Sequence, residues 1–532
     1  MPWTLQRYIL AEMLKTFLLA ALALTAVVGL GVGIVNVVKL GEVTTRQLLL
    51  LMALMLPLAA ALTLPVAALF SAAATYGRLS ADNEFVACRS GGINLHYLLL
   101  PAVVVSVLCA AVTFGLANFV IPAMAQNLNR YLTGDFSTVI LRRLERPQGF
   151  SLGGAFRVFC DRAPEVASEP GLIVLQGVAF VEMDKEKSTW VRYGTAREAR
   201  VQLVSEGDNL SIVADLIGMC GYDRKDDRAL EGDQQRVGPV PLPGLGQLEV
   251  KFLNLQGLLH YYHQPQEWHK VRAAVAGLAA EARRQAVYDS LEQEWSDGKE
   301  LLLEHGAVVY VLRSESAARQ RDGSLELHHA VAVEQRPGLE VTYVADRAVL
   351  ELTRGGPGEE PALQVGLHGA RLAESTGARA GTGERKSFGP LAVPATLLEA
   401  VDQGVTAGLL DGSLAEDAPE PLVRKHAQAL QARAAALREI VATLHERAAF
   451  SSSALLLVVL GAALGIIFRG AHLLTAFAIS FVPSLVVFVA IASGKQMAHN
   501  SATPLLGLIV MWAGLGVVGV LDYLTLTRFL RR

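Results

Sequence analysis

The residues of this chain best suited to a defined task lie in a short polar segment between two long apolar runs. It reads Gly77-Arg78-Leu79-Ser80-Ala81-Asp82-Asn83-Glu84-Phe85 and continues to Arg89-Ser90-Gly91-Gly92. Their types point to docking, not bond-making. Ser80 and Asp82 are good N-cap residues, and Asp82 and Glu84 sit where the positive end of a helix dipole favours a carboxylate. Arg89 suits the opposite end, with Gly91-Gly92 as the stop. The pattern predicts a short interfacial helix near residues 80–91, with Phe85 as apolar anchor and Glu84 as charged contact in a partner's groove. A solvated loop, which needs only the polarity, is the plainer alternative.

Patterns for catalysis are missing. Gly494-Lys495-Gln496 lacks both the earlier glycine and the hydroxyl residue of a phosphate-binding loop, so any ATP that drives this chain is hydrolysed elsewhere. No GxSxG or HExxH occurs, and the histidines are scattered, so neither an enzymatic role nor a cofactor or metal is expected. Cys160 and Cys220 are free thiols or, in an oxidising compartment, a bridge; Cys88 and Cys109 lie in or beside apolar runs. A net charge of -3 without a basic patch argues against nucleic acid.

The elements that position the polar segment are membrane spans. Mean hydropathy is +0.36 and only 18% of the 532 residues are charged, so the charges must be segregated. Residues 16–38, 47–77, 90–129, 448–468, 470–494 and 496–521 contain no Asp, Glu, Lys or Arg. Each reaches the roughly 20 residues a helix needs to cross a bilayer, which predicts three spans at each end. The first is too long for a signal-peptide core and is read as retained. If the spans alternate, Arg7, Lys15, Arg78, Arg89, Arg469, Arg528, Arg531 and Arg532 share one side, which the positive-inside rule makes the cytosol. The large middle region is then extracytoplasmic, as are the turns 39–46 and 495–501. Lys39 ends the first span there, where its ammonium either pairs with an amphiphile's phosphate or serves as a snorkelling anchor; Arg46 closes the same turn. His96 and Asp522, near span ends, read as interfacial, and Pro57 and Pro65 as candidate kinks.

The middle alternates like β-strand in Ala155-Phe156-Arg157-Val158-Phe159, Leu172-Ile173-Val174 and Glu249-Val250-Lys251-Phe252. A helix starts near Gln266, after Pro265, with Val271, Val275, Leu278 and Ala282 on one face. A second strand-rich stretch spans 307–372, with Asp322-Gly323 as a hairpin turn, and a second helix follows. At an offset of about 150 residues the halves correspond in order, the test for an internal repeat. Val178-Ala179 meets Val331-Ala332; Ala196 and Ala199 meet Ala345 and Ala348; Val237-Gly238-Pro239 meets Phe388-Gly389-Pro390. The fold class expected is a membrane α-helical protein, six spans as three plus three, with an inserted, duplicated β-jelly-roll-like region and connecting helices. The boundaries read 1–130 for the first spans, 131–265 for the first β module and 266–305 for a connecting helix. They continue as 306–415 for the second β module, 416–447 for a helix leading into the membrane and 448–532 for the last spans.

Arg7-Tyr8-Ile9-Leu10, the Pro57 and Pro65 span, Gly77-Arg78-Leu79-Ser80, Asp82-Asn83-Glu84 and Arg89-Ser90-Gly91-Gly92-Ile93 closely resemble the LptF/LptG family, the permease subunits of the lipopolysaccharide exporter. The resemblance covers about the first 130 residues well and the last 90 more loosely. It implies three spans, a periplasmic jelly roll and three more spans in the inner membrane. The implied partners are a cytosolic ABC ATPase dimer, a second permease subunit and periplasmic jelly-roll bridge proteins, with lipopolysaccharide or a related glycolipid as cargo. Asp82, Glu84, Phe85 and Arg89 would couple to the ATPase, and Lys39 and Arg46 would be substrate contacts. The chain departs from the family in its second β module and in Phe450-Ser451-Ser452-Ser453, where the family carries a proline. Two rival readings are a lipoprotein-release or mechanotransmitting ABC subunit, expected to show one plus three spans, and a non-transporting membrane-anchored scaffold.

Overall fold

A bilayer offers no partner for backbone N–H and C=O groups, so the charge-free runs satisfy them internally as helices. The computed structural model describes residues 3–40, 45–134, 150–152, 156–162, 172–183, 189–206, 209–224, 228–241, 249–296, 300–305, 308–320, 324–336, 339–353, 362–376, 385–393, 418–468, 473–500 and 503–530. Helices α1 (Trp3–Leu40), α2 (Thr45–Ala81), α3 (Glu84–Ser90) and α4 (Leu95–Gly115) are followed by a π turn, Leu116–Val120, and α5 (Ile121–Gly134). Helices α6 (Leu255–His263) and α7 (His269–Ser296) lie mid-chain. Then come α8 (Glu420–Ile467), α9 (Leu473–His499) and α10 (Pro504–Leu530). Six helical stretches are long and apolar enough to cross a membrane: α1, α2, α4 with its continuation, α8, α9 and α10. The three-plus-three arrangement follows. Pro57 and Pro65 both remain inside α2.

The chain divides into a helical unit, Met1–Phe136 with Gly244–Pro265 and Ala435–Arg532, and a β-rich unit, Ser137–Pro243 with Gln266–Ala434. In the helical unit Met13 and Phe17 of α1, Ala68, Ala72 and Tyr76 of α2, Ala102 and Val105 of α4 and Val458 and Ala462 of α8 share one core. A second cluster joins Leu69 and Leu457 to Val487, Ile491, Leu515 and Val518 of α9 and α10.

The β-rich unit holds two antiparallel sheets. The first is a meander of β1 (Phe150–Leu152), β2 (Phe156–Arg162), β3 (Leu172–Met183), β4 (Trp190–Glu206), β5 (Asn209–Asp223) and β6 (Arg228–Pro241), paired in chain order. The second contains β7 (Leu301–His305), β8 (Val308–Arg313), β9 (Ser316–Arg319), β10 (Leu325–Arg336), β11 (Leu339–Thr353), β12 (Ala362–His368), β13 (Arg371–Thr376) and β14 (Arg385–Ala392). There β8 and β9 both pair with β10, and β12 and β13 both pair with β11. Counted as two interrupted strands, they give the second sheet the same six-strand meander as the first. Its outer strands β7 and β14 run close together. Val287, Leu291 and Trp295 of α7 enter its core with Leu303, Leu325 and Leu350. Tyr288 there accepts a hydrogen bond from the Leu352 N–H at 2.8 Å.

Both sheets break their pleat at matching places. Gly177 on β3 (φ 65°) and Gly218 on β5 (φ 64°) flank Arg197 on β4. In the second sheet His329 (φ 52°) and Gly369 (φ 69°) flank Asp346 on β11. The pairing register is the same on either side of each of these residues, so they are left-handed kinks without an inserted residue. The register also moves one sequence correspondence by a residue. Val178 faces Ala196 and Ala330 faces Ala345, so Val178 matches Ala330, not Val331.

Other expectations change here. Glu249-Val250-Lys251-Phe252 alternates like a strand but forms a 3₁₀ turn over Val250–Phe252, closed by Phe252 N–H to the Glu249 carbonyl at 2.9 Å. That turn and α6, which the periodicity did not show, belong to the helical unit, so the boundary at 265 overruns the first β module. Cys160 on β2 and Cys220 on β5 are not disulfide-bonded and are separated by β3 and β4. Three strand spacings make about 14 Å, too far for a disulfide. Asp522 is buried on α10 instead of interfacial, and neither carboxylate oxygen has a hydrogen-bond partner among the described residues. Asp322-Gly323 lies outside the described residues.

Candidate functional site

Helix α2 does not stop at Ser80. It runs to Ala81 because its end is gripped on three sides. Arg78 Nη1 donates to Glu12 Oε1 of α1 at 2.9 Å, and Tyr76 donates its hydroxyl to the Leu98 carbonyl of α4 at 2.6 Å. The buried Ser80 hydroxyl donates to the Ile466 carbonyl of α8 at 3.1 Å. Ser80 is therefore a bridge to α8 and not the expected cap of the short helix.

The approach of α2 to α8 is backbone on backbone. A Cβ on Gly465 would lie 2.6 Å from the Ala73 carbonyl and 2.9 Å from the Gly77 nitrogen, and one on Gly461 would lie 2.5 Å from the Leu69 carbonyl. Small residues of this kind let membrane helices approach closely enough for dispersion to hold them.

Beyond Ala81 the chain turns through Asp82 and Asn83, whose φ of 59° reverses direction, and enters α3 at Glu84. Asp82 and Glu84 are exposed. The helix ends on Gly92 (φ 80°), across which Ile93 N–H reaches the Cys88 carbonyl at 3.1 Å, the six-to-one bond of a Schellman stop. Asn94 then caps α4, accepting from the His96 N–H at 3.2 Å, and His96 is exposed. Phe85 and Arg89 lie four residues apart in α3, a spacing that shares a helix face; their side chains lie outside the described residues. Lys39 and Arg46 fall near the end of α1 and the start of α2, at the other end of α2 from α3, and their side chains also lie outside the described residues. The structure brings the four α3-region residues together and keeps these two apart from them.

A polar knot at the far end of the spans was not expected. Arg447 of α8, 8% exposed, donates to Asn118 Oδ1 in the π turn at 3.1 Å and to the Lys251 carbonyl at 2.9 Å. Asn118 in turn donates to the Phe114 carbonyl at 3.0 Å. Beside the knot, Lys495 Nζ donates to Glu446 Oε2 at 2.5 Å, and Trp512 Nε1 to His445 Nδ1 at 3.1 Å. The signal available in the sequence was an asparagine inside an apolar run and an arginine at the edge of another, since polar groups in spans need partners. Among the described residues no group of three His, Cys, Asp or Glu side chains could hold a metal ion.

None of the curated proteins compared with the chain matches it. The family comparison does match: residues 7–135 and 283–528 fit the lipopolysaccharide export system permease LptF/LptG, a transporter component and not a catalytic enzyme. The fit takes in the gripped end of α2, all of α3 and the last three spans, and omits the first sheet and α6. Covering well over half of the sequence, it shows that this multi-pass membrane protein belongs to the LptF/LptG family.

Proposed function

We propose that the chain is a transmembrane permease subunit of an ABC transporter that extracts lipopolysaccharide or a related glycolipid from the inner membrane and passes it to a periplasmic bridge. ATP is hydrolysed by a separate cytosolic ATPase dimer, and a second LptF/LptG-type subunit completes the cavity. The β-rich unit is periplasmic, and its two sheets are copies of one module. The observation that carries this reading is α3, a short capped helix with exposed acids, hung from a span end that is itself locked to α1, α4 and α8. Force applied at Asp82, Glu84, Phe85 and Arg89 would move those helices instead of bending a loop. Force is needed because each buried methylene holds a lipid by about 0.8 kcal/mol. Lys39 and Arg46 at the opposite end of α2 are the proposed cargo contacts.

The test is to purify the detergent-solubilised chain with its partners and identify the ATPase and lipid that accompany it. Changing Phe85→Asp or Glu84→Arg is expected to remove the ATPase while leaving the chain inserted in the membrane. Full retention of ATPase and of lipid turnover in both variants sinks the coupling assignment.

A further inference from the structure

Residues 249–265 lie in sequence between the two sheets yet pack with the spans, and the family pattern does not cover them. Their level relative to the bilayer can be read from α8. Ser80 meets α8 at Ile466 and the polar knot meets it at Arg447, and at roughly 1.5 Å per residue these points lie about 28 Å apart, one hydrocarbon thickness. The knot therefore marks the boundary opposite α3. Lys495 with Glu446 and Trp512 with His445, a charged pair and an indole, are the groups expected at such a boundary.

The Arg447 bond fixes the Lys251 carbonyl at that level, and Val250, Leu253, Leu258 and Pro265, in the segment that groups with the spans, are buried. Helix α6 begins one turn later, capped by Asn254, which accepts from the Gly257 N–H at 2.7 Å. On a helical wheel Leu258, Tyr262, Leu255 and Leu259 form one apolar arc. Leu258 is fully buried, whereas Leu259 and Tyr262 are each 45% exposed; Gln256, His260 and His263 flank them and are exposed as well. Half of the apolar arc grips the protein and half faces outward at the depth where headgroups meet acyl chains.

We propose that α6 is a monotopic helix whose Leu259–Tyr262 face lies in the lipid headgroup layer on the side opposite α3. A tyrosine and a leucine bordered by imidazoles fit an interface that is wet on one side. The proposal needs only the membrane-spanning character of the chain and holds whatever the cargo is.

The test uses the full chain in vesicles of phosphatidylethanolamine and phosphatidylglycerol, with the photoreactive residue benzoylphenylalanine placed in turn at positions 259 and 262. Position 509, exposed on α10, is the lipid-contact control, and position 344, exposed on β11 of the β-rich unit, is the reference outside the spans. Lipid adducts at 259 and 262 are expected within about two-fold of position 509 and at least about five-fold above position 344. No adduct at either position while 509 labels, or crosslinks to protein in place of lipid, overturns the proposal. Tyr262→Trp gives an independent reading: brominated acyl chains should quench the added emission, and unquenched emission overturns it. Success here alongside failure of the ATPase experiment would leave α6 in the interface and remove only the transport reading.

Discussion

Gly465 illustrates how one missing methyl can hold two helices together. Its absent Cβ is what allows the Ala73 carbonyl and the Gly77 nitrogen to lie against α8, and nothing but backbone stands in the way. Gly465→Ala is expected to cost about 1–3 kcal/mol through overpacking. Gly516→Ala on α10, where a Cβ would meet nothing within 4 Å, should be neutral; thermal unfolding of the two variants in one detergent compares them. The short helix α3 was legible because dipole and stop signals are local. Ser80 was misassigned for the same reason: its hydroxyl looked like a cap, but its partner, the Ile466 carbonyl, is distant in the chain and no local rule points to it. Asp522 was likewise placed by its distance from a span end, whereas its burial depends on which helix face packs inward.

Helices were easier to read than strands. A charge-free run leaves the backbone one way to satisfy itself in lipid, so all six spans followed from composition. Alternation over four residues is weak by comparison. Val250–Phe252 alternates and still forms a turn, because Arg447 captures the Lys251 carbonyl that a strand would have paired elsewhere. Arg447→Ala should cost about 1–3 kcal/mol by leaving the Asn118 and Lys251 oxygens without their donor. Arg447→Lys should recover little, since one ammonium lacks the planar fork that serves two acceptors on different segments. Limited proteolysis within residues 249–265 checks this: cleavage should rise in both variants. Unchanged cleavage would show that Val250, Leu253 and Leu258 hold the segment without the arginine.

At the scale of the whole molecule, the family pattern stops at 135 and resumes at 283, and the gap contains the first sheet. That sheet repeats the meander of the second, including its left-handed breaks beside Arg197 and Asp346. It reads as an added copy, not as part of the common machinery. Replacing residues 150–241 by a flexible linker is expected to leave membrane insertion and ATPase association intact while lowering delivery of lipid to a periplasmic acceptor. Pull-down and lipid-transfer assays on the same preparation measure the two effects. Loss of ATPase association would place the first sheet within the coupling machinery. The repeat was visible as an ordered run of matching residues, but its register was not, because a one-residue slip leaves alternation looking much the same until hydrogen bonds fix which faces pair.

The glycine seam between α2 and α8 limits how the protein can work. With backbones already touching and Ser80 pinned to Ile466, the third of the six spans and the two before it have no slack against the fourth. In the transporter proposed above, a passage wide enough for a many-tailed amphiphile would then open by rocking one whole protomer away from its neighbour, as a clamshell does, and not by prising apart the staves of a single barrel.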